Sequence, residues 1–491
     1  MTSKNRSLVI FILGMLCAIG PFSIDMYLPG FPAIAKDLNV SVETVGYSLS
    51  SFFIGISLGQ LICGPLLDRF GRKLPLLAGL TVYIIATIGC VFSNDITTLI
   101  IFRFFQALGG CVGIVAPRAM IRDLFPVKEN AKIFSLMILI LGVSPIVAPT
   151  AGGWLVAHLG WHSVFVVLAI IGVAITVLVA FCLPESKGAD KDYSLKPAPI
   201  LNKFVTVARV PQFYTYALVG GLSSAALFAY LSGSPFVFMS FFGATEKQYG
   251  FIFAIIALGL IICSQVNNIM LKKYSSEQII KVTLRLQVII GLLLFAGSIS
   301  GFLNMYTTIA LIATFLSCQG FTFPNATALA MAPFSKMAGS ASAVMGATQM
   351  GLAALVSAGV SGLHATNAGP MAGGMLLCAS VAVIILFVGS KHIAPFNNAD
   401  GLDSPEYFKL TAMNEPEAAE GQADRSKKPG AQAAFGLWRG LLRIAAANVG
   451  CGMPCIAHRT IVFIFLKFYP EKLTFAAQNS KMFLDISHTA P

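Results

Sequence analysis

Residues 43–93 read ETVGYSLSSFFIGISLGQLIC (43–63), GPLLDRFGRK (64–73) and LPLLAGLTVYIIATIGCVFS (74–93). Two apolar runs flank a ten-residue segment that carries Asp68, Arg69, Arg72 and Lys73. Each run has the roughly 20 residues that a helix needs to cross a ~30 Å hydrocarbon core. The charged segment is short, so the two runs return antiparallel, with its cations held at one membrane surface.

Outward from that stretch the pattern repeats. Runs of the same kind lie at 8–30, 97–119, 133–157, 161–183, 212–238, 248–270, 284–302, 306–331, 338–362 and 368–389, making twelve spans in all. The expected fold is an all-α membrane protein of twelve transmembrane helices. The first run is not a cleaved signal peptide: it is too long, and it contains Pro21 and Asp25 rather than a small-residue cleavage site. Composition agrees. Of 491 residues, 56% are hydrophobic and only 11% charged, whereas soluble domains carry about 25% charged residues. That excludes a soluble enzyme, and a disordered chain would be polar and charged.

The net charge of +12 suggests a nucleic-acid partner until it is placed along the chain. Residues 1–393 carry +11 and residues 394–491 carry +1. Alternate loops and the ends of 1–393 hold Lys4, Arg6, Arg69, Arg72, Lys73, Arg118, Arg122, Lys128, Lys132 and ten further cations through Lys336, with Lys391 after the last span. The opposite loops hold only Lys36 and Lys247. Cytoplasmic loops carry the Lys/Arg excess, so both termini are expected in the cytoplasm, with a lipid bilayer and no nucleic acid as partner. One cation, Arg103, belongs to neither side and lies inside span 4.

The polar connection 184–211 divides the spans six and six. This predicts two pseudo-symmetric halves, 1–183 and 212–393, joined by a central cytoplasmic loop, with 394–491 as a cytoplasmic polar tail. Repeats of six helices are a known transporter plan. GPLLDRFG at 64–71 has a counterpart in NIMLKKYS at 268–275, which lacks the acid and both glycines. In the tail, 394–430 reads as a linker and 432–446 (QAAFGLWRGLLRIAA) as an interfacial helix with Phe435, Trp438 and Leu442 on one face. The ten cysteines read mostly as small buried hydrophobes, and Cys451 with Cys455 is weak evidence for a metal. No metal, cofactor or nucleotide-binding loop is expected.

Four features carry chemistry. In the 2–3 loop, Gly64 and Gly71 allow a tight turn, and Asp68 among three cations can pair with one of them. In RFFQALGG (103–110), a mid-span Arg costs at least about 2.5–3.5 kcal/mol, so Arg103 must face a partner or a polar cavity, with Gln106 on the same face. Asp25, in SIDMYLPGFP (23–32), is the one acid within the interior of a predicted span. Asp25 and Arg103 are natural partners or rivals for one proton, since apolar burial favours the neutral acid and a nearby guanidinium the carboxylate. Asp25 also lies about 18 residues into its span, so a place in water at the outer end stays open. In ILGVSPIVAPTAGGW (140–154), Pro145 and Pro149 force span 5 to bend, and Gly142, Gly152 and Gly153 give it a face for close packing.

The loop 64–73 resembles the signature of the major facilitator superfamily. The resemblance implies that Gly64, Asp68, Arg69, Gly71 and Arg72 hold the two halves together in one state and release them in another. The span-4 stretch resembles the family motif whose Arg is associated with proton coupling. The span-5 stretch is similar to the Gly/Pro motif of the family's drug–proton antiporters, with Ser144 where the pattern usually has Gly. With DMYLPGFP (25–32) and APRAMIRDLF (116–125), residues 7–393 resemble the bicyclomycin/chloramphenicol-resistance exporters; the tail is not covered. The expected function is proton-coupled efflux of small amphipathic compounds by a monomer in a bacterial inner membrane. Asp25 and Arg103 are the expected coupling residues, and Tyr27, Gln106, Tyr230, Phe236 and Asn325 are candidates for the substrate cavity. The alternatives are a proton symporter that imports a metabolite and a membrane receptor that keeps the fold without transport. An intramembrane enzyme is disfavoured, because no nucleophile–base pair or metal cluster lies within the spans.

Overall fold

The computed structural model describes residues 3–125, 127–190, 195–334, 337–363, 365–391 and 393. The expected interfacial helix at 432–446 and the linker before it lie outside the described residues.

Twelve helices long and apolar enough to cross a membrane are present, and the described residues form no strand. Span 1 runs Ser7–Asp37, span 2 Val42–Phe70, span 3 Lys73–Val91 and span 4 Ile96–Leu124. Span 5 belongs to the helix Val127–Leu159, and span 6 is His162–Cys182. Spans 7 to 12 are Pro211–Phe241, Glu246–Met270, Ser276–Ser300, Met305–Met331, Ala338–Ser361 and Gly369–Gly389. Hydroxyl, carboxylate and amide caps start many of them: Ser41, Asp95, Thr245, Ser275 and Asn304 each accept a hydrogen bond from a backbone N–H of the first turn.

Two expectations need correction. The central connection is not all loop, because Pro197–Ala208 forms a helix. Lys196 precedes a Pro suited to the first helical turn, and its apolar residues cluster enough to bury Val207. The register of the repeat also changes. ISLGQLIC (56–63) and IALGLIIC (256–263) share five of eight residues, and spans 2 and 8 end at Phe70 and Met270. The matching offset is therefore 200 residues. Its glycines do the same work: Gly59 packs against Cys111 of span 4, and Gly259 against Ser317 of span 10.

Exposed apolar side chains such as Ile85, Ile170, Phe181, Phe251 and Phe387 suit a lipid solvent. Span 7 is the most enclosed, with nearly every side chain from Gln212 to Pro235 buried. Spans 1–6 meet spans 7–12 along two seams. In the first, span 2 lies on span 11: Ser50 Oγ donates to Ser357 Oγ at 2.9 Å, and Ser57 Oγ to the Ala347 carbonyl at 2.8 Å. In the second, span 5 lies on span 8.

Candidate functional site

Span 1 is not one helix. Its first segment ends at Asp25, and Leu28–Gly30 turns as 3₁₀ before helix resumes at Phe31–Asp37. Pro29 has no N–H to give the carbonyl four residues back, so the break falls at Asp25. The last carbonyls of a helix need outside donors. Arg103 supplies one: its Nη1 donates to the Ser23 carbonyl at 3.0 Å and to Gln106 Oε1 at 2.6 Å. A cation there also faces the negative end of the helix dipole.

Arg103 is fully buried. Its guanidinium lies 4.2 Å from the Phe52 ring centroid, 4.6 Å from Tyr27 and 5.9 Å from Phe165. Desolvated cation–π contacts reach about 2 kcal/mol each, so the aromatic cage and two charge-assisted hydrogen bonds work against a desolvation cost of several kcal/mol. Behind it, Gln106 Nε2 donates to Thr87 Oγ1 (2.8 Å), which donates to the Tyr83 carbonyl (2.6 Å). Ser23 Oγ donates to the Ile19 carbonyl, so the 2.8 Å bond between Ser23 Oγ and Tyr83 Oη is donated by Tyr83.

Asp25 faces the other way. Two residues on a helix of 3.6 residues per turn are about 200° apart, so a chain that offers Ser23 to span 3 points Asp25 across the molecule. Asp25 is 5% exposed, which overturns its placement in water at a span end. It lines a cavity of about 150 Å³ with Leu141 and Pro145 of span 5, Leu227 and Tyr230 of span 7, Ile256 of span 8 and Leu316 of span 10. No hydrogen bond or ion pair reaches it among the described residues, and the pairing with Arg103 expected from sequence is absent. The same 200° explains this: the two groups serve opposite faces of one helix.

The cavity candidates separate accordingly. Tyr230 lines the cavity. Tyr27 does not: its hydroxyl bonds Ser48 Oγ at 2.7 Å and its ring packs on Phe31 and Phe165. Gln106 is spent on Arg103 and Thr87. Asn325 Nδ2 donates to Asn267 Oδ1 at 2.7 Å, an amide pair joining spans 10 and 8. Phe236 lines a separate small crevice with Ser232, Val360 and Met371.

Span 5 is the wedge beside the cavity. A Cβ on Gly152 would overlap the Met26 carbonyl, so span 5 touches the span-1 backbone one residue past Asp25. A Cβ on Gly153 would stand 2.7 Å from the Glu246 carbonyl at the start of span 8. Gly142 and Pro145 line the cavity, and Pro149 lies near Gly250 of span 8. Ser144 Oγ returns its proton to the Ile140 carbonyl at 2.8 Å.

In the 2–3 connection the turn is only Gly71 and Arg72, because helix persists to Phe70. Gly71 has φ +84°, and a Cβ there would lie 3.0 Å from the Lys187 carbonyl. Gly64 is helical and faces open space, so it makes no turn. Arg72 Nη1 donates to Asp68 (2.8 Å) and Nε to Asp123 (2.9 Å). Burial works to lower its proton affinity, but the two carboxylates outweigh burial and hold the guanidinium above its ordinary value. Arg69 Nη1 donates to the Asp190 carbonyl, and Glu185 accepts from the Arg72 and Lys73 N–H groups. Sequence reasoning missed Asp123 and Glu185, whose signal is an acid standing in a basic stretch. It also missed Tyr83 and Thr87, polar residues four apart in an apolar span.

Two helical bundles closed around a buried carboxyl, with seams between them, define a membrane transport protein. The model of the Major Facilitator Superfamily matches residues 11–358. The chain is 34% identical over 398 residues to the uncharacterized MFS-type transporter YdgK of Bacillus subtilis (80% of this chain, 97% of that one). It is 30% identical over 394 residues to the bicyclomycin resistance protein homolog of Haemophilus influenzae (80% and 99%). It is 30% identical over 382 residues to the multidrug resistance protein MdtL of Escherichia coli (76% and 93%). By shape it resembles a bacterial homolog of the human lysosomal transporter Spinster in an inward-facing, unoccupied conformation (TM-score 0.59, 15% identity, 80% and 96% covered). The D-xylose-proton symporter is similar in fold (TM-score 0.58, 14% identity, 79% and 98% covered). The chain belongs to the major facilitator superfamily, and the family resemblance read from its sequence is borne out.

Proposed function

We propose that the protein exports small amphipathic compounds in exchange for protons, by alternating access between residues 1–183 and 212–393. The observation that carries this is Asp25. It is a carboxyl inside the bundle, without a counter-ion among the described residues, in an apolar cavity walled by spans from both halves. Such a group can exchange a proton against a substrate that occupies the same space. The span-5 Gly/Pro wedge beside it supports antiport, and the relatives named for bicyclomycin and multidrug resistance support a drug-like substrate. Drug-sized pockets are about 300–1,000 Å³. A cavity of 150 Å³ is therefore closed down, and the halves part to load it.

In this reading the basic loops lie in the cytoplasm of a bacterial cell, both termini with them, and a monomer suffices. Gly64, Asp68, Arg69, Gly71 and Arg72 form the inner gate. Arg103 acts on the proton site through span 1, whose break it caps two residues from Asp25. The test is uptake of a drug panel into everted vesicles with an imposed pH gradient. The expected result is accumulation that a protonophore abolishes, and that Asp25→Asn loses while the protein remains inserted. Accumulation that survives the protonophore would sink proton coupling, and full activity of Asp25→Asn would remove Asp25 from the mechanism.

A further inference from the structure

Tyr230, on span 7 of the other half, lines the same cavity as Asp25. Its hydroxyl is buried and makes no hydrogen bond, although buried hydroxyls are nearly always paired. The polar group beside it, Ser234, bonds Tyr249 Oη at 2.8 Å and acts on the Tyr230 hydroxyl only from outside hydrogen-bond geometry. Among the described residues, the rest of the cavity lining carries no charge. Span 5 presents Leu141, Gly142 and Pro145, span 7 adds Leu227 and Leu231, span 8 presents Phe253, Ile256, Ala257, Leu260 and Ile261, and span 10 presents Leu316. On span 1 itself, Tyr27 is turned away onto Ser48. One free donor and one free acceptor, each from a different half, thus share an apolar cavity.

We propose that Tyr230 is the positioning residue through which spans 7–12 read the charge on Asp25: its hydroxyl donates to the carboxylate of the empty, deprotonated site and holds the two halves closed on it. This rests on the reading of Asp25 as the proton carrier. A hydrogen bond to an ionised acceptor is roughly twice as strong as one between neutral groups. The contact is therefore strong when Asp25 has lost its proton and weak when it holds one. A bound substrate separates the pair by occupying the space between them. Closure is then favoured in the one state that an antiporter must not let cycle, the carrier with neither proton nor substrate. Without such a lock, an empty carrier returns freely and the exchange becomes leakage.

The test needs no identified substrate. Spin labels go on the full chain, freed of reactive native cysteines, at exposed positions in each half: Asn94 with Tyr306 at one end, Arg122 with Lys273 at the other. Distance distributions are recorded from about pH 5 to pH 9. A charge-assisted hydrogen bond is of the size that shifts a two-state population about tenfold. In the wild type, the closed population is expected to rise about tenfold with pH. Asp25→Asn is expected to give no response. Tyr230→Phe, which removes no existing bond and so keeps the fold, is expected to lose most of the response, while Tyr249→Phe keeps it. A wild-type response preserved in Tyr230→Phe overturns this proposal and leaves proton coupling standing. A wild type indifferent to pH overturns the reading of Asp25 itself, and the proposal with it.

Discussion

Arg103 is a mid-span cation whose first duty is structural: it ends a helix. Its Nη1 serves the Ser23 carbonyl and Gln106 together, while the plane of the guanidinium lies among Phe52, Tyr27 and Phe165. A lysine keeps the charge but not the planar fork. Arg103→Lys is expected to lose at least one charge-assisted hydrogen bond, about 1.5–3 kcal/mol, read as a lower melting temperature in detergent together with lost transport. An unchanged melting temperature would remove the capping role. The sequence made both Arg103 and Asp25 conspicuous, because each is an ionisable group in an apolar run. It suggested that they pair. Which face of span 1 each one meets depends on the packing of span 4 against span 3, and no spacing in the sequence records that.

Among the elements, span 5 shows how a motif divides into parts with different tolerance. Gly152 meets backbone, which cannot move aside, whereas Gly142 has only the Ile261 side chain at 3.8 Å. Gly152→Ala is expected to cost about 1–3 kcal/mol or more by overpacking and to lose transport. Gly142→Ala is expected to keep both stability and transport. Thermal unfolding and drug accumulation, measured on the two variants side by side, check this, and equal behaviour of the two would refute the wedge. The number and order of the spans were legible because hydrophobic length fixes them, but their ends were not: span 2 runs on to Phe70 and span 9 starts at Ser276, since polar residues at a membrane surface can continue a helix. The break in span 1 was legible only as Pro29, and the helix Pro197–Ala208 was hidden in a stretch whose overall polarity reads as loop.

For the molecule as a whole, the proposed alternating access requires the seam between spans 2 and 11 to open. Ser50 Oγ and Ser357 Oγ sit 2.9 Å apart across it. Cysteines placed at both positions, in a chain without reactive native cysteines, are expected to form a disulfide under oxidation and to stop transport almost completely, with recovery on reduction. Cross-linked protein that still transports at the wild-type rate would rule out movement at this seam.

The sequence by itself determined the twelve spans, their alternation and the side that carries the positive charge. Those features come from hydrophobic length and from loop composition, which are local properties of the chain. It also marked Asp25 and Arg103 as ionisable groups that a bilayer admits only with a partner or a polar cavity, and the span-5 glycines as a face for close packing. Only the tertiary structure decided what each one faces. Two side chains a few residues apart on a helix can point into different surroundings, and a break such as that at Asp25 resets the helical phase of the residues beyond it. Hence Tyr27, Gln106 and Asn325 pack into the bundles, Asp25 turns to the cavity, and Tyr230 meets it there from a helix some two hundred residues further along the chain.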